Sequence, residues 1–281
     1  MKLAILHERL NPVLLEAVAR LRADGVVVDL LGPEEVAGVE LTALRPAHDL
    51  YYLKTSAEPM LSYAGALHEA GAATLNPYPA VARWSDKLMA TVALSHAGVR
   101  VPRTWLGPSM AELERLLEEG PLVLKPQRGS RGRGVQVVRH RAELAALGVS
   151  GLAQRFHESD DGRDHKLYCI GDQVFGVRRA WRVYDGWEEK RLASEAFSPS
   201  PELCELARRC GAALGLRLYG LDVVMSGGVP FVVDVNKCAG FVGVPDAPRL
   251  LADFLGSALG VATRRQLQSG PSGEEPSDKR C

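Results

Sequence analysis

The 281-residue sequence lacks several features that define large classes of protein. It has no excess charge of either sign, because 34 lysine and arginine residues equal 34 aspartate and glutamate residues in number. Proteins that coat nucleic acid usually carry a basic excess, so we expect no nucleic-acid partner. No apolar run approaches the roughly 18 residues that cross a bilayer, so we expect no membrane partner.

Cysteine is scarce and unpaired in its spacing. The five cysteines are odd in number and include no C-x-x-C pair, which argues against a disulfide framework or a cysteine metal site. Histidine shows no H-E-x-x-H spacing, and no G-x-S-x-G motif marks a serine nucleophile. We therefore expect reduced thiols. Charged residues follow the N-terminus too closely for the apolar core of a signal peptide, so we predict a cytoplasmic protein.

The first part of the chain alternates between buried-strand and helix patterns. Short apolar runs at 2–7, 25–31 and 48–54 are rich in Leu, Val, Ile and Tyr, and residues 12–23 carry apolar side chains at helical spacing. This order predicts βαβ units and a small parallel sheet, with a second helix over 57–70. The fold class is therefore α/β.

Helix and hairpin signals continue through the rest of the chain. Ser85 or Asp86 is positioned to cap a helix that runs to Ala97. Hairpin turns are predicted at Gly171-Asp172 and at Ser226-Gly227-Gly228. Further helices are predicted over 110–119, 201–214 and 246–259, and a disordered tail over 264–281.

A glycine-rich segment forms the first candidate site. Residues 121–141 contain six Lys or Arg and no Asp or Glu. A predicted strand ends at Lys125, and the loop 127–133 that follows could close its backbone N–H groups over phosphate oxygens. The alternative is a solvated hairpin that uses glycine for its turn.

Three oxygen-bearing side chains form the second candidate site. Asp234 and Asn236 lie two apart on one apolar strand and point to the same face. If the hairpin centres on Gly227, Asp222 pairs near Val232 and joins them. Buried carboxylates need a partner, and hard oxygen ligands suit Mg²⁺. A pair of edge carboxylates beside a polar turn is the alternative.

A polar strand pair forms the third candidate site. Lys166, Arg178 and Arg179 could bind anions, and Asp164 could accept a hydrogen bond from a ribose hydroxyl. The alternative is an exposed hairpin face of mixed charge.

In order and spacing, these features together resemble the ATP-grasp superfamily, and within it the RimK/LysX-like carboxylate–amine ligases. The resemblance covers about residues 76–258 and is carried by Ser85-Asp86-Lys87-Leu88, Val123-Leu124-Lys125-Pro126 with the glycine-rich loop, Ala153-Gln154-Arg155-Phe156, the 164–172 strand, Leu221-Asp222 and Val233-Asp234-Val235-Asn236. It implies an ATP-grasp fold with an N-terminal βαβ pre-ATP-grasp domain (1–80) and an ATP-grasp domain (81–263). Two α+β subdomains of the latter, one of them a lid over about 100–156, would sandwich ATP.

The resemblance also implies roles for single residues. Lys87 and Lys125 match lysines that hold ATP phosphates, and the loop 129–134 matches the lid over them. Asp164 matches the ribose ligand. The remaining matches are a lid set of Gly129, Ser130, Gly132 and Gly134, a hinge of Gln154, Arg155 and Phe156 where adenine is read, Lys166 in the nucleotide site, Mg²⁺ (or Mn²⁺) ligands Asp222, Asp234 and Asn236, and catalytic Arg178 and Arg179 near the γ-phosphate or acyl phosphate.

The implied function is an ATP-dependent ligase that joins a small-molecule or peptide carboxylate to an amine through an acyl phosphate. Homodimers and homotetramers are common in such families. An inositol-phosphate kinase of the same superfamily is the first alternative. A catalytically silent ATP-binding subunit is the second, because Arg155 stands where an acidic residue is common and no Arg-x-Asn element lies near Lys190.

Overall fold

A computed structural model describes residues 1–129, 134–144, 151–180 and 194–268. Ser130, Gly132, the segment around Lys190 and residues 269–281 therefore lie outside the described residues. Within those ranges, none of the helices combines the length and apolar character needed to cross a membrane.

The N-terminal part forms a parallel four-stranded sheet with helices between its strands. The strand order is β2-β1-β3-β4, and all three pairings are parallel, as the βαβ pattern predicts. Its elements are β1 (Lys2–His7), α1 (Pro12–Ala23), β2 (Val27–Leu31), β3 (Leu50–Lys54), α2 (Glu58–Glu69) and β4 (Thr74–Leu75). Because parallel strands end at one edge, the segments after His7 and Lys54 emerge side by side.

Two helices connect this sheet to the rest of the chain. The sequence predicts only a break at 76–79, whereas α3 (Tyr78–Arg83) begins there, because Pro79 is tolerated in the first turn of a helix. The second helix, α4 (Lys87–His96), is capped by Asp86, whose side chain accepts hydrogen bonds from the N–H groups of Leu88 and Met89. The predicted Asp86 cap is thus confirmed.

An antiparallel sheet of order β5-β8-β6-β7 follows. Its elements are β5 (Thr104–Leu106), α5 (Met110–Glu118), β6 (Leu122–Lys125), β7 (Gln136–Val138), α6 (Arg141–Leu144) and β8 (Leu152–Arg155). The capping box predicted for α5 is present, with Ser109 and Glu112 exchanging hydrogen bonds. Leu113, Leu122 and Ala153 form the small core of this unit.

The third sheet is the largest, with order β11-β10-β9-β12-β13. Its elements are β9 (Arg163–Ile170), β10 (Gln173–Ala180), β11 (Ser194–Phe197), α7 (Pro201–Leu214), β12 (Leu218–Ser226) and β13 (Val229–Asn236). Both predicted hairpins are confirmed. The second turns through Gly227 and Gly228, whose φ values of 61° and 73° suit a two-residue hairpin loop.

The final helix, α8 (Ala247–Gln268), is longer than the sequence predicts. It includes the first five residues of the expected disordered tail, 264–268, because no Gly or Pro interrupts it there. Its buried residues Leu251 and Leu255 share one core with Leu14 and Leu21 of α1. The C-terminal helix therefore packs against α1 of the N-terminal part.

Asn76 also joins the N-terminal sheet to the third sheet. Its fully buried side chain accepts from the N–H groups of Arg217 and Leu218 at 2.8 and 3.0 Å and donates to the carbonyl of Leu218 at 2.7 Å. A weaker contact of 3.4 Å reaches the carbonyl of Lys237. One amide thus holds the start of β12 and the segment after β13 against the first sheet.

Candidate active site

A cavity of about 690 Å³ lies where the three sheets meet, a volume typical of small-molecule sites. Ten of the sequence-predicted site residues line it: Lys87, Lys125, Gly129, Gln154, Asp164, Lys166, Arg179, Asp222, Asp234 and Asn236. A depression of about 390 Å³ beside α5 contains none of them. We therefore treat the larger cavity as the candidate active site.

Two lysines from different units converge on Asp234. Lys87, the first residue of α4, places Nζ 2.8 Å from Oδ1 and 3.1 Å from Oδ2 of Asp234. Lys125, at the end of β6, donates to the carbonyl of Val233 at 3.0 Å. Burial acts to raise the pKa of Asp234, but the ammonium groups of Lys87 and Lys125 outweigh it, so this pKa lies below its ordinary value. Asp234 is therefore ionised at neutral pH.

A second pair lies on the neighbouring strands. Lys166 and Asp222 are direct cross-strand partners on β9 and β12, and the ammonium group donates to the carboxylate. Burial acts to lower the pKa of Lys166, but Asp222 and Asp164 outweigh it and raise the pKa above its ordinary value. By contrast, burial lowers the pKa of Lys125, with Asp234 opposing the shift.

The register of β12 against β13 differs from the predicted one. Asp222 lies opposite Asp234 rather than near Val232, because a β-bulge at Val233 interrupts the ladder. Val223 pairs with Val232, so an unbroken ladder would place Asp234 opposite Leu221. The side chain of Asp234 would then lie on the opposite face of the sheet from that of Asp222. The bulge is what brings the two carboxylates together.

Only one of the two predicted catalytic arginines lies in the cavity. Arg179 is opposite Asp164 and lines the cavity, with a contact of 3.5 Å to the carbonyl of Val242. Arg178 does not line the cavity. Adjacent strand residues point to opposite faces, and its guanidinium lies over Phe197 and 3.3 Å from Glu195 on the far side.

Of the three predicted hinge residues, Gln154 lines the cavity, and Arg155 and Phe156 do not. Gln154 is buried in the cavity wall, donates to Thr104 at 3.1 Å and leaves its side-chain oxygen without a protein partner. The side chain of Arg155 points away and donates to backbone carbonyls at the end of α5, including Leu116 at 3.1 Å. The basic side chain of Arg155 thus binds the C-terminal end of α5 and not the cavity. Phe156 does not line the cavity and lies beneath Arg139.

Of the glycine-rich loop, the structure describes the two ends. Gly129 lines the cavity, and Gly134 does not. Gln127 ties the start of the loop to the helix beside it, donating to Asp86 at 2.5 Å and accepting from the N–H of Lys87 at 3.1 Å. The start of the loop is thus held beside Lys87, which pairs with Asp234.

Sequence reasoning missed a group of residues from the N-terminal sheet. Glu8, Arg9 and Lys54 line the cavity, and so does Lys237 after β13. The first three stand at or directly after the ends of β1 and β3. Ligands of parallel α/β sheets bind at the carboxyl ends of strands, so this position was the available signal.

Together, the fold and the cavity define a class: an α/β protein with two lysine–carboxylate pairs and further cations in a cavity suited to a polyphosphate. Comparison with known proteins agrees. The model of the ATP-grasp domain matches residues 84–238, more than half of the chain. The chain belongs to the ATP-grasp family, and it is an ATP-dependent ligase.

Two relatives share its sequence over most of both chains, and both are named "Probable alpha-L-glutamate ligase". The protein from Trichodesmium erythraeum is 28% identical over 222 residues, covering 73% of this chain and 72% of its own. That from Xanthomonas campestris pv. campestris (strain 8004) is 27% identical over 244 residues, covering 82% and 81%. These relatives support a RimK-like ligase.

Solved structures share the fold. A RimK domain ATP-grasp protein from Sphaerobacter thermophilus superposes with a TM-score of 0.72 at 22% identity, covering 90% of this chain and 99% of that one. The D-alanine–D-alanine ligase of Bacillus anthracis gives 0.70 at 16% identity, covering 96% and 100%. The ATP-grasp fold predicted from the sequence is confirmed.

Proposed function

We propose that the protein is a carboxylate–amine ligase that forms an amide bond on an amino-acid or peptide substrate through an acyl phosphate. The names of the two relatives make L-glutamate the first candidate for the amino acid. The observation that carries the proposal is the convergence of the Lys87–Asp234 and Lys166–Asp222 pairs in one cavity.

The donor set suits a divalent cation. Asp222 and Asp234 face each other across two strands, and Asn236 lies two residues further on the same face. Within the described ranges no third His, Cys, Asp or Glu joins them, so an amide or phosphate oxygen must complete the ligand set. We propose that these three residues hold Mg²⁺ (or Mn²⁺). When bound, the ion would neutralise charge on the transferring phosphate.

The lysines perform a second task in this proposal. In the structure Lys87 and Lys166 neutralise the two carboxylates, which a bound cation would do in the loaded enzyme. With nucleotide and cation bound, Asp222 and Asp234 would hold the cation, and Lys87 and Lys166 would donate to phosphate oxygens. Lys125 and Arg179 add positive charge to the same wall of the cavity, so that anionic oxygens are stabilised without water.

The nucleoside end follows from the remaining residues. We propose that Asp164 accepts from the ribose and that Gln154, with a buried oxygen that lacks a protein partner, faces the adenine. We also propose an N-terminal domain over 1–80 and an ATP-grasp domain over 81–263, with a lid over about 100–156.

The test is a measurement of ADP and phosphate release with L-glutamate and a panel of amines and peptides. We expect release only when carboxylate and amine are both present, with inorganic phosphate equal to ADP. Turnover that needs no amine and leaves phosphate on an inositol-phosphate acceptor would instead establish the kinase alternative. Binding of Mg·ATP without turnover under any of these conditions would favour the silent ATP-binding subunit.

A further inference from the structure

The lysines Lys87 and Lys125, which the proposed function assigns to ATP phosphates, come from different parts of the fold. Lys87 begins α4, and Lys125 ends β6 of the antiparallel four-stranded sheet. Burial lowers the pKa of Lys125; Asp234 opposes this shift and the ammonium group of Lys87 adds to it, so the two cations repel each other. A site that presents both lysines to one anion needs contacts that hold the two segments together.

One such contact joins Asp86 to Gln127. Asp86 directly precedes Lys87, and Gln127 lies two residues after Lys125. The side-chain amide of Gln127 donates to Oδ2 of Asp86 at 2.5 Å, and its backbone carbonyl accepts from the N–H of Lys87 at 3.1 Å. Two hydrogen bonds therefore join the helix to the strand within two residues of each lysine.

Asp86 is itself fixed on the helix. It is 7% exposed, and its Oδ1 accepts from the N–H groups of Leu88 and Met89 at 2.9 and 3.3 Å. One oxygen of the carboxylate thus caps α4 and the other receives Gln127. Because a hydrogen bond to an ionised carboxylate is stronger than one between neutral groups, the position of the helix is coupled to that of the strand.

We propose that the hydrogen bond between Gln127 and Asp86 is a positioning contact, which holds Lys87 and Lys125 where both donate to the phosphate oxygens of ATP. The inference rests on the proposed function for the assignment of the two lysines to phosphate. Neither Gln127 nor Asp86 lines the cavity. They act on phosphate binding through the lysines beside them.

Gln127→Met tests the contact without changing the charge of the site. The substitution keeps the length of the side chain and removes the donor to Asp86. Calorimetry measures the binding of adenosine and, in the presence of Mg²⁺, of a non-hydrolysable ATP analogue. We expect the analogue to bind about tenfold more weakly than to the parent, because a hydrogen bond to a charged group contributes about this much. Adenosine should bind the variant and the parent equally.

Adenosine separates positioning from a structural loss. Thr91 and Leu94 of α4 line the cavity, so a displaced or unfolded helix would weaken the binding of both probes. A change confined to the lysines weakens only the probe that carries phosphates. Gln136→Met is the matched control, because Gln136 is exposed on β7 of the same sheet as Lys125, and this variant should bind both probes as the parent does. Urea unfolding measures the stability of each variant.

A second pair of variants reverses the hydrogen bond. Gln127→Glu places two carboxylates face to face and should weaken binding of the ATP analogue at least as much as Gln127→Met does. Adding Asp86→Asn should return the affinity to within about threefold of the parent, because the asparagine amide donates to the introduced carboxylate. Asparagine is also a good N-cap residue, so α4 keeps its cap.

Unchanged binding of the ATP analogue to Gln127→Met, or equal losses for the analogue and adenosine, would overturn the positioning contact. A double variant that binds no better than Gln127→Glu alone would overturn it as well. Its failure is separable from that of the ligase. Amine-dependent ADP release by the parent, with full analogue affinity in Gln127→Met, would keep the ligase and remove the contact. Selective loss of analogue binding in Gln127→Met, without amine-dependent ADP release by the parent, would keep the contact and remove the ligase.

Discussion

Replacing Asp234 with asparagine separates the two tasks of this carboxylate. The substitution keeps the size of the side chain and removes its charge. In the structure Asp234 neutralises Lys87, with Nζ 2.8 Å from Oδ1, and in the proposed function it also holds a divalent cation. The variant should therefore lose stability slightly and ATP turnover almost completely.

The magnitude of each loss follows from the geometry. A hydrogen bond to a charged group contributes ~1.5–3 kcal/mol, but the Asp234 side chain is 38% exposed and solvent screens the pair. We expect the free energy of unfolding to fall by about 1–2 kcal/mol. Loss of a cation ligand should reduce turnover at least about 100-fold, which is ~2.7 kcal/mol of transition-state stabilisation.

Nucleotide binding gives the sharpest readout. In the variant Lys87 and Lys125 lose the carboxylate that neutralises them, so metal-free ADP should bind as tightly as before or more tightly. The gain in affinity that Mg²⁺ confers on ATP should disappear. Calorimetry with and without EDTA measures both effects, and urea unfolding measures stability.

Asp253→Asn is the matched control for this experiment. Asp253 forms an exposed ion pair with Arg249 on α8, so the same substitution there should change stability and turnover little. Turnover of Asp234→Asn within about threefold of the parent, with the Mg²⁺ dependence of ATP binding retained, would refute the assignment of Asp234 as a cation ligand.

Three further predictions follow from the same structure. The pKa of Asp234 is lower in the folded than in the unfolded chain, so its ionised form favours folding above about pH 4, and this contribution disappears as pH falls through the folded pKa. The stability difference between parent and Asp234→Asn should therefore be constant above about pH 4 and shrink as pH falls below it; a difference that stays constant at lower pH would contradict the ion pair. Arg179→Met should reduce ADP release at least about tenfold while Arg178→Met changes it less than about threefold, since the two side chains lie on opposite faces; the reverse order would show that Arg178 reaches the substrate. Asn76→Ala should lower the free energy of unfolding by about 2–4 kcal/mol in urea, because several buried backbone groups lose their partner; a loss below 0.5 kcal/mol would contradict this.

Local patterns in the sequence predicted most of the elements correctly. The helix over 12–23 and that over 201–214 have the bounds that the sequence predicts, because apolar spacing, caps and flanking glycines all act within a few residues. Short elements that depend on partners were missed, among them α3 and β11. Their sequences carry little periodicity, and they form where neighbouring strands and helices supply contacts.

The sequence by itself determined the family of folds, the two lysines and the polar residues of the cavity, since these are properties of residue type and spacing. Tertiary structure decided which of them meet. A bulge at Val233 places Asp234 opposite Asp222. Arg178 lies on the other face of its strand, and Arg155 binds the C-terminal end of α5, so neither side chain lines the cavity. Packing of the first sheet against the third added Lys54 and Lys237 to the cavity. Contacts between distant segments depend on register and on sheet edges, which no local pattern specifies.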